Sequence, residues 1–404
     1  MEVFSEKTRD YFPSLNRVNS SNQQIIYLDG PGGTQVPIQV IEAISQYYLR
    51  SNANTHGEFI TSQETDLGMD DRRFKVSVML GAESPNTISI GQNMTTLNYS
   101  LARALSRRFK EDDEVIVTEL DHEANRGPWM ILKEVGVKII EVSLMQNGTL
   151  DYSDFKSKIN EKTVMVCMGM SSNALGTLND FHSVRSFLPN NCLFLLDAVH
   201  YAPHFAINVS ELGCDFLLCS AYKFYGPHVG FLYSRPGLLD SLDTDRLVVQ
   251  DQSAPFIIET GTLNHAACAG VSAAIEFIAS LGEGDSLRSK LVDAYSKISV
   301  HEFALAKYLH DSLCVLDKVS VIGQDFSNTK RTPTVSFVHS DYTPNEICKK
   351  LASSNICAWD GHFYAFKAIQ QLGLEKKGGV TRLGISIYNT KEEVERVVSV
   401  ISNL

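Results

Sequence analysis

Between about residue 86 and residue 235, seven short apolar runs alternate with segments of helical periodicity. The runs are nearly continuous in β-branched, aliphatic and aromatic residues, which is typical of strands covered by helices on both faces. Strands that alternate with helices predict a mostly parallel sheet. The link between the last two runs is too short for a parallel crossover, so we expect one of these two strands to be antiparallel. The predicted strands are residues 87–91, 114–118, 137–143, 163–169, 193–197, 215–220 and 229–234.

The pattern changes after this sheet. Two long helical stretches lead into a mixture of strands and helices, and Thr390 with Glu393 predicts a capping box for the last helix. A chain of 404 residues is too long for one ordinary core. We therefore expect a large domain of residues 20–284 and a smaller α+β domain of residues 285–404, with segment 1–19 packed on the smaller one.

Charge and composition restrict the partners and the location. The net charge of −11 argues against nucleic acid or an anionic membrane as the main partner. No apolar run reaches the length of a membrane span, and the N-terminus lacks the apolar core of a signal peptide. The eight cysteines form no CxxC pairs, so we expect reduced thiols in a cytoplasmic protein.

Lys223 and Asp197 are the first candidates for chemistry. Lys223 follows a predicted strand and lies between Tyr222 and Phe224. A partly desolvated lysine has a lowered pKa and can form an imine, although a lysine that snorkels at a strand end is the alternative. Asp197 ends a strand at the sheet edge where α/β proteins bind ligands, although Asp is also a common helix N-cap. Pyridoxal 5'-phosphate (PLP) needs such a carboxylate to keep its ring nitrogen protonated, so the pair indicates a PLP site.

The segments LDAVHYAPH at 196–204 and SAYKFYGP at 220–227 together resemble the class V aminotransferase group. Within that group the chain is most similar to the cysteine desulfurases and selenocysteine lyases. The resemblance runs from YLDGPGGT at 27–34 to YNTKEEV at 388–394. It implies the α/β fold of type I PLP-dependent transferases, in which a mostly parallel seven-stranded sheet is joined to a smaller C-terminal domain. It also implies that PLP is bound covalently to Lys223.

The resemblance assigns further residues around the cofactor ring. His122, in TELDHEANRGPW, matches the histidine that stacks on the ring, and Asp197 matches the partner of the ring nitrogen. His200 falls near the phenolic oxygen, where the family more often has Gln. Asn173, in SSNALGT, is expected to reach the phenolic oxygen or the substrate.

The turn GQNMTT, between a strand and a helix, resembles the phosphate site of the family. Gln92 and Asn93 fall where many relatives have two threonines, Thr95 is a neighbouring alternative, and Ser220 is a further ligand. Backbone N–H groups at a helix N-terminus bind phosphate without net positive charge. Thr262, in IETGTLN, matches a threonine that reaches the phosphate of the partner subunit, which implies a homodimer with shared active sites.

Arg382, in VTRLGISIYNT, matches the arginine that binds the substrate carboxylate, which implies a small α-amino acid as the substrate. A guanidinium group can bind a carboxylate through two parallel hydrogen bonds, although a surface arginine on an edge strand is the alternative. His56 is expected at the entrance of the site. His200 and His204 have a spacing that suits a metal, but a third ligand is lacking, so no metal site is predicted.

The reaction depends on a loop that carries a cysteine nucleophile in cysteine desulfurases. The matching segment, CAWDGHFYAFKAI, retains Gly361 and His362, but Tyr364 stands near the position of the cysteine. Cys357 follows an apolar run and is expected to pack in the smaller domain. We therefore expect β-elimination by a C–S lyase. The alternatives are an aminotransferase, an ordinary cysteine desulfurase that uses Cys357, and a non-catalytic relative, which the filled lysine, aspartate, histidine and arginine positions disfavour.

Overall fold

The computed structural model describes residue 4, residues 8–327 and residues 330–404. Its strands are β1 (Ile26–Tyr27), β2 (Ile88–Gly91), β3 (Glu114–Thr118), β4 (Lys138–Val142), β5 (Thr163–Gly169), β6 (Leu193–Asp197), β7 (Phe216–Ser220), β8 (Gly230–Ser234), β9 (Val319–Ile322), β10 (Thr334–His339), β11 (Ile356–Cys357), β12 (Trp359–Gly361) and β13 (Val380–Gly384). Its α-helices are α1 (Ile38–Arg50), α2 (Ile60–Leu80), α3 (Met94–Ser106), α4 (Glu123–Arg126), α5 (Tyr152–Lys158), α6 (Phe181–Phe187), α7 (Val209–Leu212), α8 (His265–Ser280), α9 (Leu287–Cys314), α10 (Pro344–Ser353), α11 (Phe366–Gln371) and α12 (Lys391–Ser402).

The seven strands predicted between residues 86 and 235 are present, each within one residue of the predicted limits. They form one sheet in the order β2-β8-β7-β6-β5-β3-β4. Neighbouring strands from β7 to β4 are parallel, whereas β8 is antiparallel to both β7 and β2. The expectation that one of the last two strands is antiparallel is therefore confirmed, and β8 is that strand.

The apolar runs are continuous because both faces of the sheet are buried. In β6, Phe194 and Leu196 belong to one hydrophobic core, while Leu193 and Leu195 belong to a second core on the opposite face. Successive side chains of a strand point to opposite faces, so a strand between two cores needs apolar residues at every position. The α/β fold with a large, mostly parallel sheet is thus confirmed.

The C-terminal part forms a second, antiparallel sheet in the order β12-β13-β10-β9. Strand β1 reaches across from the N-terminal region and pairs in parallel with β11. Arg9 also contacts this part, since its guanidinium group lies 2.6 Å from the carboxylate of Glu393. Thr390 and Glu393 form the predicted capping box at the start of α12. The domain limits at residues 20, 284 and 285 stay predictions.

Candidate active site

The site is a cavity at the edge where the parallel strands end. Gly169, Asp197 and Ser220 are the last residues of β5, β6 and β7, and all three line this cavity. Lys223 lines it from the 3-10 turn that follows β7. Carboxyl ends of parallel strands share one edge of the sheet, which brings these residues together. The other predicted residues that line the cavity are Asn93, Thr95, His122, Asn173 and His200.

Lys223 is a buried lysine, with 8% of its surface exposed. Burial lowers the pKa of its amine to about 7, and the positive charge of Arg382 acts in the same direction. The ammonium donates a hydrogen bond to the carbonyl of Pro31 and lies 4.8 Å from the centroid of the Tyr222 ring. A large fraction of the amine is therefore neutral near pH 7, as a nucleophile or a base requires.

Asp197 is buried as well, and burial raises the pKa of its carboxyl to about 7. The neighbouring carboxyl of Asp121 also raises this pKa, while the backbone N–H of Val199, 2.9 Å away, opposes the shift. The residues after Asp197 form turns rather than a helix, so Asp197 is not a helix N-cap. A protonated ring nitrogen would give this carboxylate the counter-charge that favours ionisation.

His122 is the N-cap of α4, where its Nδ1 accepts a hydrogen bond of 3.0 Å from the backbone N–H of Ala124. Burial lowers the pKa of His122 to about 4, and the charges of Lys223 and Arg382 contribute. The ring is consequently neutral at pH 7 and carries its proton on Nε2. A neutral aromatic ring at the cavity wall is suited to stacking on another ring.

His200 is held by two threonines of the C-terminal part. Its Nε2 lies 3.2 Å from Oγ1 of Thr332 and 3.1 Å from Oγ1 of Thr334. Because the Thr332 hydroxyl donates its proton to the carbonyl of Gly176, it accepts from His200, which places the imidazole proton on Nε2. Burial lowers the pKa of His200, so Nδ1 is an unprotonated acceptor.

The cavity offers polar atoms without partners. Oγ of Ser171, Oδ1 of Asn173 and Nδ1 of His200 are buried and make no hydrogen bond to the described residues. Buried polar atoms are normally paired, so this lining fits a polar ligand that supplies the missing partners. At the other end, helix α3 begins at Met94, and Gly230 lies so close that a Cβ would stand 2.2 Å from the backbone of Asn93. This close-packed helix N-terminus suits the phosphate of PLP.

Arg382 lies on β13, which has β12 on one side and β10 on the other, so it is not on an edge strand. One terminal nitrogen of its guanidinium group lies 2.7 Å from Oδ1 of Asp29, and the other donates to the carbonyl of Asn173 at 3.1 Å. The ring of Phe363 covers the group at 4.0 Å. A guanidinium has five N–H donors, and Nε is buried and makes no hydrogen bond within the part of the chain that the structure describes, so donors remain for a carboxylate.

Three predicted residues lie outside the cavities that contain Lys223. Gln92 and Thr262 are exposed, and they line a neighbouring cavity together. The side chain of His56 is 89% exposed and lies 3.4 Å from Asp66. Gln92 lies between the end of β2 and the start of α3, and its exposed side chain lines that neighbouring cavity. The role of Thr262 depends on a second subunit and stays a prediction.

Comparison with known proteins agrees with this geometry. A family model described as Aminotransferase class-V matches residues 26–397. The chain belongs to this family. It is 30% identical to a probable cysteine desulfurase of Halalkalibacterium halodurans, over 97% of this chain and 95% of that protein. It is 26% identical to a cysteine desulfurase of Pectobacterium atrosepticum, over 98% and 96% of the two chains.

A solved structure, the apo cysteine desulfurase from Thermococcus onnurineus NA1, superposes with a TM-score of 0.89 and 26% identity. The alignment covers 98% of this chain and 97% of the other. The resemblance found in the sequence is therefore confirmed, and the chain is an enzyme of this PLP-dependent, cysteine desulfurase-like family.

The positions of the cysteines decide whether a thiol can reach a substrate at Lys223. A larger cleft of about 800 Å³ opens from Lys223 and is lined by Arg382, His362 and Tyr364. Among the described residues, no cysteine lines this cleft or the inner cavity. Cys357 lies in β11, where burial and the charge of Asp29 raise the pKa of its thiol.

Sequence reasoning missed several residues that shape the site. Asp29 lay in the segment YLDGPGGT without an assigned role. Asp121 precedes His122 and accepts hydrogen bonds from the Gly169 N–H at 2.8 Å and from Asn125 at 3.2 Å. The resemblance contained a signal for both carboxylates, since each lies in a matched segment. The two threonines at His200 had no such signal.

Two further observations concern metals and membranes. Within the described ranges, no group of three or more His, Cys, Asp or Glu side chains is arranged to hold a metal ion. In the same part of the chain, no helix combines the length and the apolar character that a membrane crossing requires.

Proposed function

We propose that this chain is a PLP-dependent C–S lyase that eliminates the β-substituent of a small α-amino acid. The observation that carries the proposal is the cleft at Lys223, which contains Tyr364 and, among the described residues that line it, no cysteine. A persulfide route needs a thiolate within reach of the substrate sulfur. Without it, the substituent leaves directly.

The lining of the cavity supports an assignment of the residues that would hold PLP. Lys223 would bind it covalently, the carboxylate of Asp197 would pair with its ring nitrogen, and the neutral ring of His122 would lie against its face. Asn93, Thr95 and Ser220, beside the start of α3, would surround its phosphate. When bound, PLP withdraws electrons from the α-carbon of an amino acid and makes the α-proton acidic.

The chain's own side chains then orient the substrate and move its proton. The free N–H groups of Arg382 bind the α-carboxylate, while Asp29 and Asn173 fix the guanidinium plane. The amine of Lys223, with its pKa lowered to about 7, takes the α-proton. The β-substituent departs with its bonding electrons, and hydrolysis of the resulting 2-aminoacrylate gives pyruvate and ammonia.

The products identify the reaction. The purified protein, loaded with PLP, is incubated with L-cysteine, and pyruvate, alanine, persulfide and the pyridoxamine form are measured. We expect pyruvate and ammonia in equal amounts, with no activity and no borohydride-reducible adduct in Lys223→Ala. Alanine with an enzyme-bound persulfide would establish a desulfurase, and conversion to the pyridoxamine form would establish an aminotransferase.

We also propose a homodimer with shared active sites in the cytoplasm. Gln92 and Thr262 line an open cavity of about 440 Å³, next to the start of α3. A second subunit seated there would bring a polar side chain toward the phosphate site. The eight free cysteines, five of them buried, suit a reducing compartment. Light scattering should give twice the chain mass, and a monomer that binds PLP tightly would contradict the shared site.

A further inference from the structure

The cleft outside Lys223 has an aromatic wall. Five of its lining residues carry large aromatic rings, and three of these rings are also exposed to solvent: Tyr99, Trp359 and Tyr364. Trp359 is 58% exposed and Tyr364 is 68% exposed. Exposed apolar rings gathered around one cleft mark a surface that binds something apolar. The other two aromatic lining residues are Tyr222 and Phe363.

The register of the second sheet places this wall beside the group that binds the carboxylate. Trp359 on β12 stands directly opposite Arg382 on β13 in an antiparallel pair. Residues that oppose each other in such a pair project from the same face of the sheet. A substrate whose carboxylate is bound by Arg382 therefore has its side chain within reach of the indole ring.

The remaining part of the wall is held in place. The carbonyl of Tyr364 accepts a hydrogen bond of 2.7 Å from the N–H of Glu123, and its ring centroid lies 5.4 Å from that of His122. The carbonyl of Phe363 accepts from Nδ2 of Asn173 at 2.8 Å. Phe363 and Tyr364 both have positive φ, 51° and 58°. Non-glycine residues keep this conformation only where the surroundings enforce it, so the wall is preformed.

The size and charge of the cleft select among possible substituents. Its volume of about 800 Å³ lies within the range of pockets that hold drug-sized ligands, far beyond the single sulfur atom of cysteine. Two carboxylates, Glu123 and Asp360, also line it. Glu123 is paired with Arg126, 3.2 Å away, but the charge of Asp360 disfavours an anionic substituent by like-charge repulsion.

We propose that the natural substrate class is an S-conjugate of L-cysteine whose sulfur carries an uncharged aromatic group. This inference rests on the proposed elimination and names the substrate for it. Lys223 takes the α-proton, the electron pair of the C–H bond forms the carbon–carbon double bond, and the C–S bond breaks with its pair on the aryl thiolate. The thiolate takes up a proton, and 2-aminoacrylate reacts with water to give pyruvate and ammonia. No oxidant or reductant is required.

The test separates binding from elimination. L-homophenylalanine has the shape of S-phenyl-L-cysteine but no leaving group, and L-norvaline is the matched analogue of S-methyl-L-cysteine. Their affinities for the PLP-loaded protein are measured by the absorbance change of the cofactor and by calorimetry. We expect L-homophenylalanine to bind at least ~10-fold more tightly, because a phenyl ring buries more apolar surface and stacks on the wall.

Variants of Trp359 test whether the aromatic wall causes the preference for an aromatic substituent. Trp359→Ala should reduce the ratio of kcat/KM for S-phenyl-L-cysteine over S-methyl-L-cysteine by about 10-fold, mainly through KM, while Trp359→Phe retains most of it. Tyr308→Ala, at a partly exposed aromatic residue that does not line the cleft, should leave the ratio unchanged.

The outcomes distinguish this inference from the proposed function. Equal release of pyruvate from both substrates, with equal binding of the two analogues, would keep the lyase and overturn the aromatic substrate class. Tight, Trp359-dependent binding of L-homophenylalanine without pyruvate from S-phenyl-L-cysteine would support the aromatic subsite and overturn elimination. Failure of L-homophenylalanine to bind at all would also overturn the inference.

Discussion

The pairing of Asp29 with Arg382 gives the sharpest energetic prediction. Their side chains are 9% and 3% exposed, and the nearest charged atoms are 2.7 Å apart. The substitution Asp29→Asn removes the negative charge beside Arg382 and leaves the buried guanidinium without a counter-charge. Removal of one partner of a buried ion pair costs about 3–5 kcal/mol. Because Asn retains a carbonyl acceptor and Asn173 still binds Arg382, we expect a loss of about 3 kcal/mol, at the low end of that range.

The assay is urea unfolding of the PLP-free protein, followed by circular dichroism and by fluorescence of the buried Trp129. Asp112→Asn is the matched control, because Asp112 forms an exposed ion pair with Lys138 that should contribute almost nothing to the free energy of unfolding. In the double variant with Arg382→Met, the penalty of Asp29→Asn should shrink, since no buried charge remains unpaired.

A ligand carboxylate should compensate for the missing charge. L-Alanine is therefore expected to raise the unfolding midpoint of PLP-loaded Asp29→Asn more than that of the wild-type protein. If Asp29→Asn unfolds at the same urea concentration as the control variant, Arg382 does not depend on this counter-charge and the account of the carboxylate site is wrong.

Further predictions concern Lys223 and Asp197 in the inner cavity and Cys357 outside it. Since burial lowers the pKa of Lys223 from 10.5 to about 7, the rate at which the apoenzyme captures PLP should increase between about pH 6 and 8 and then level off. A rate, measured by stopped-flow absorbance, that still increases toward pH 10 would contradict a desolvated amine. Asp197→Asn should slow turnover about 10²–10³-fold. The same variant should be more stable to urea than the wild-type PLP-free protein at pH 8. The reason is that the pKa of the Asp197 carboxyl rises from 3.8 to about 7 on folding, so its ionisation above pH 3.8 destabilises the folded state. An unchanged urea midpoint would show that the carboxyl is solvated. Cys357→Ser should leave the rate of pyruvate formation unchanged. If this variant loses sulfur transfer from L-cysteine while PLP stays bound, the protein is an ordinary desulfurase that uses Cys357.

The sequence alone determined the large sheet and one group of site residues. The apolar runs are local signals, because a strand buried on both faces is apolar at every position. Asp197 and Lys223 could be brought together from sequence because Asp197 ends one strand, Lys223 follows another, and the ends of these strands share one edge. The motif around His122 and the segment that contains Asn173 could be assigned to the site only because they resemble segments of a known family.

Only the tertiary structure shows which groups contact and orient the residues of the site. Asp29 meets Arg382 across 353 residues of chain. His200 takes its proton position from Thr332 and Thr334, which lie just before β10 and at its first position. The aromatic wall depends on the register of β12 against β13. Such contacts join elements distant in sequence, and no local pattern specifies them, because they arise from packing of the C-terminal part against the edge of the large sheet.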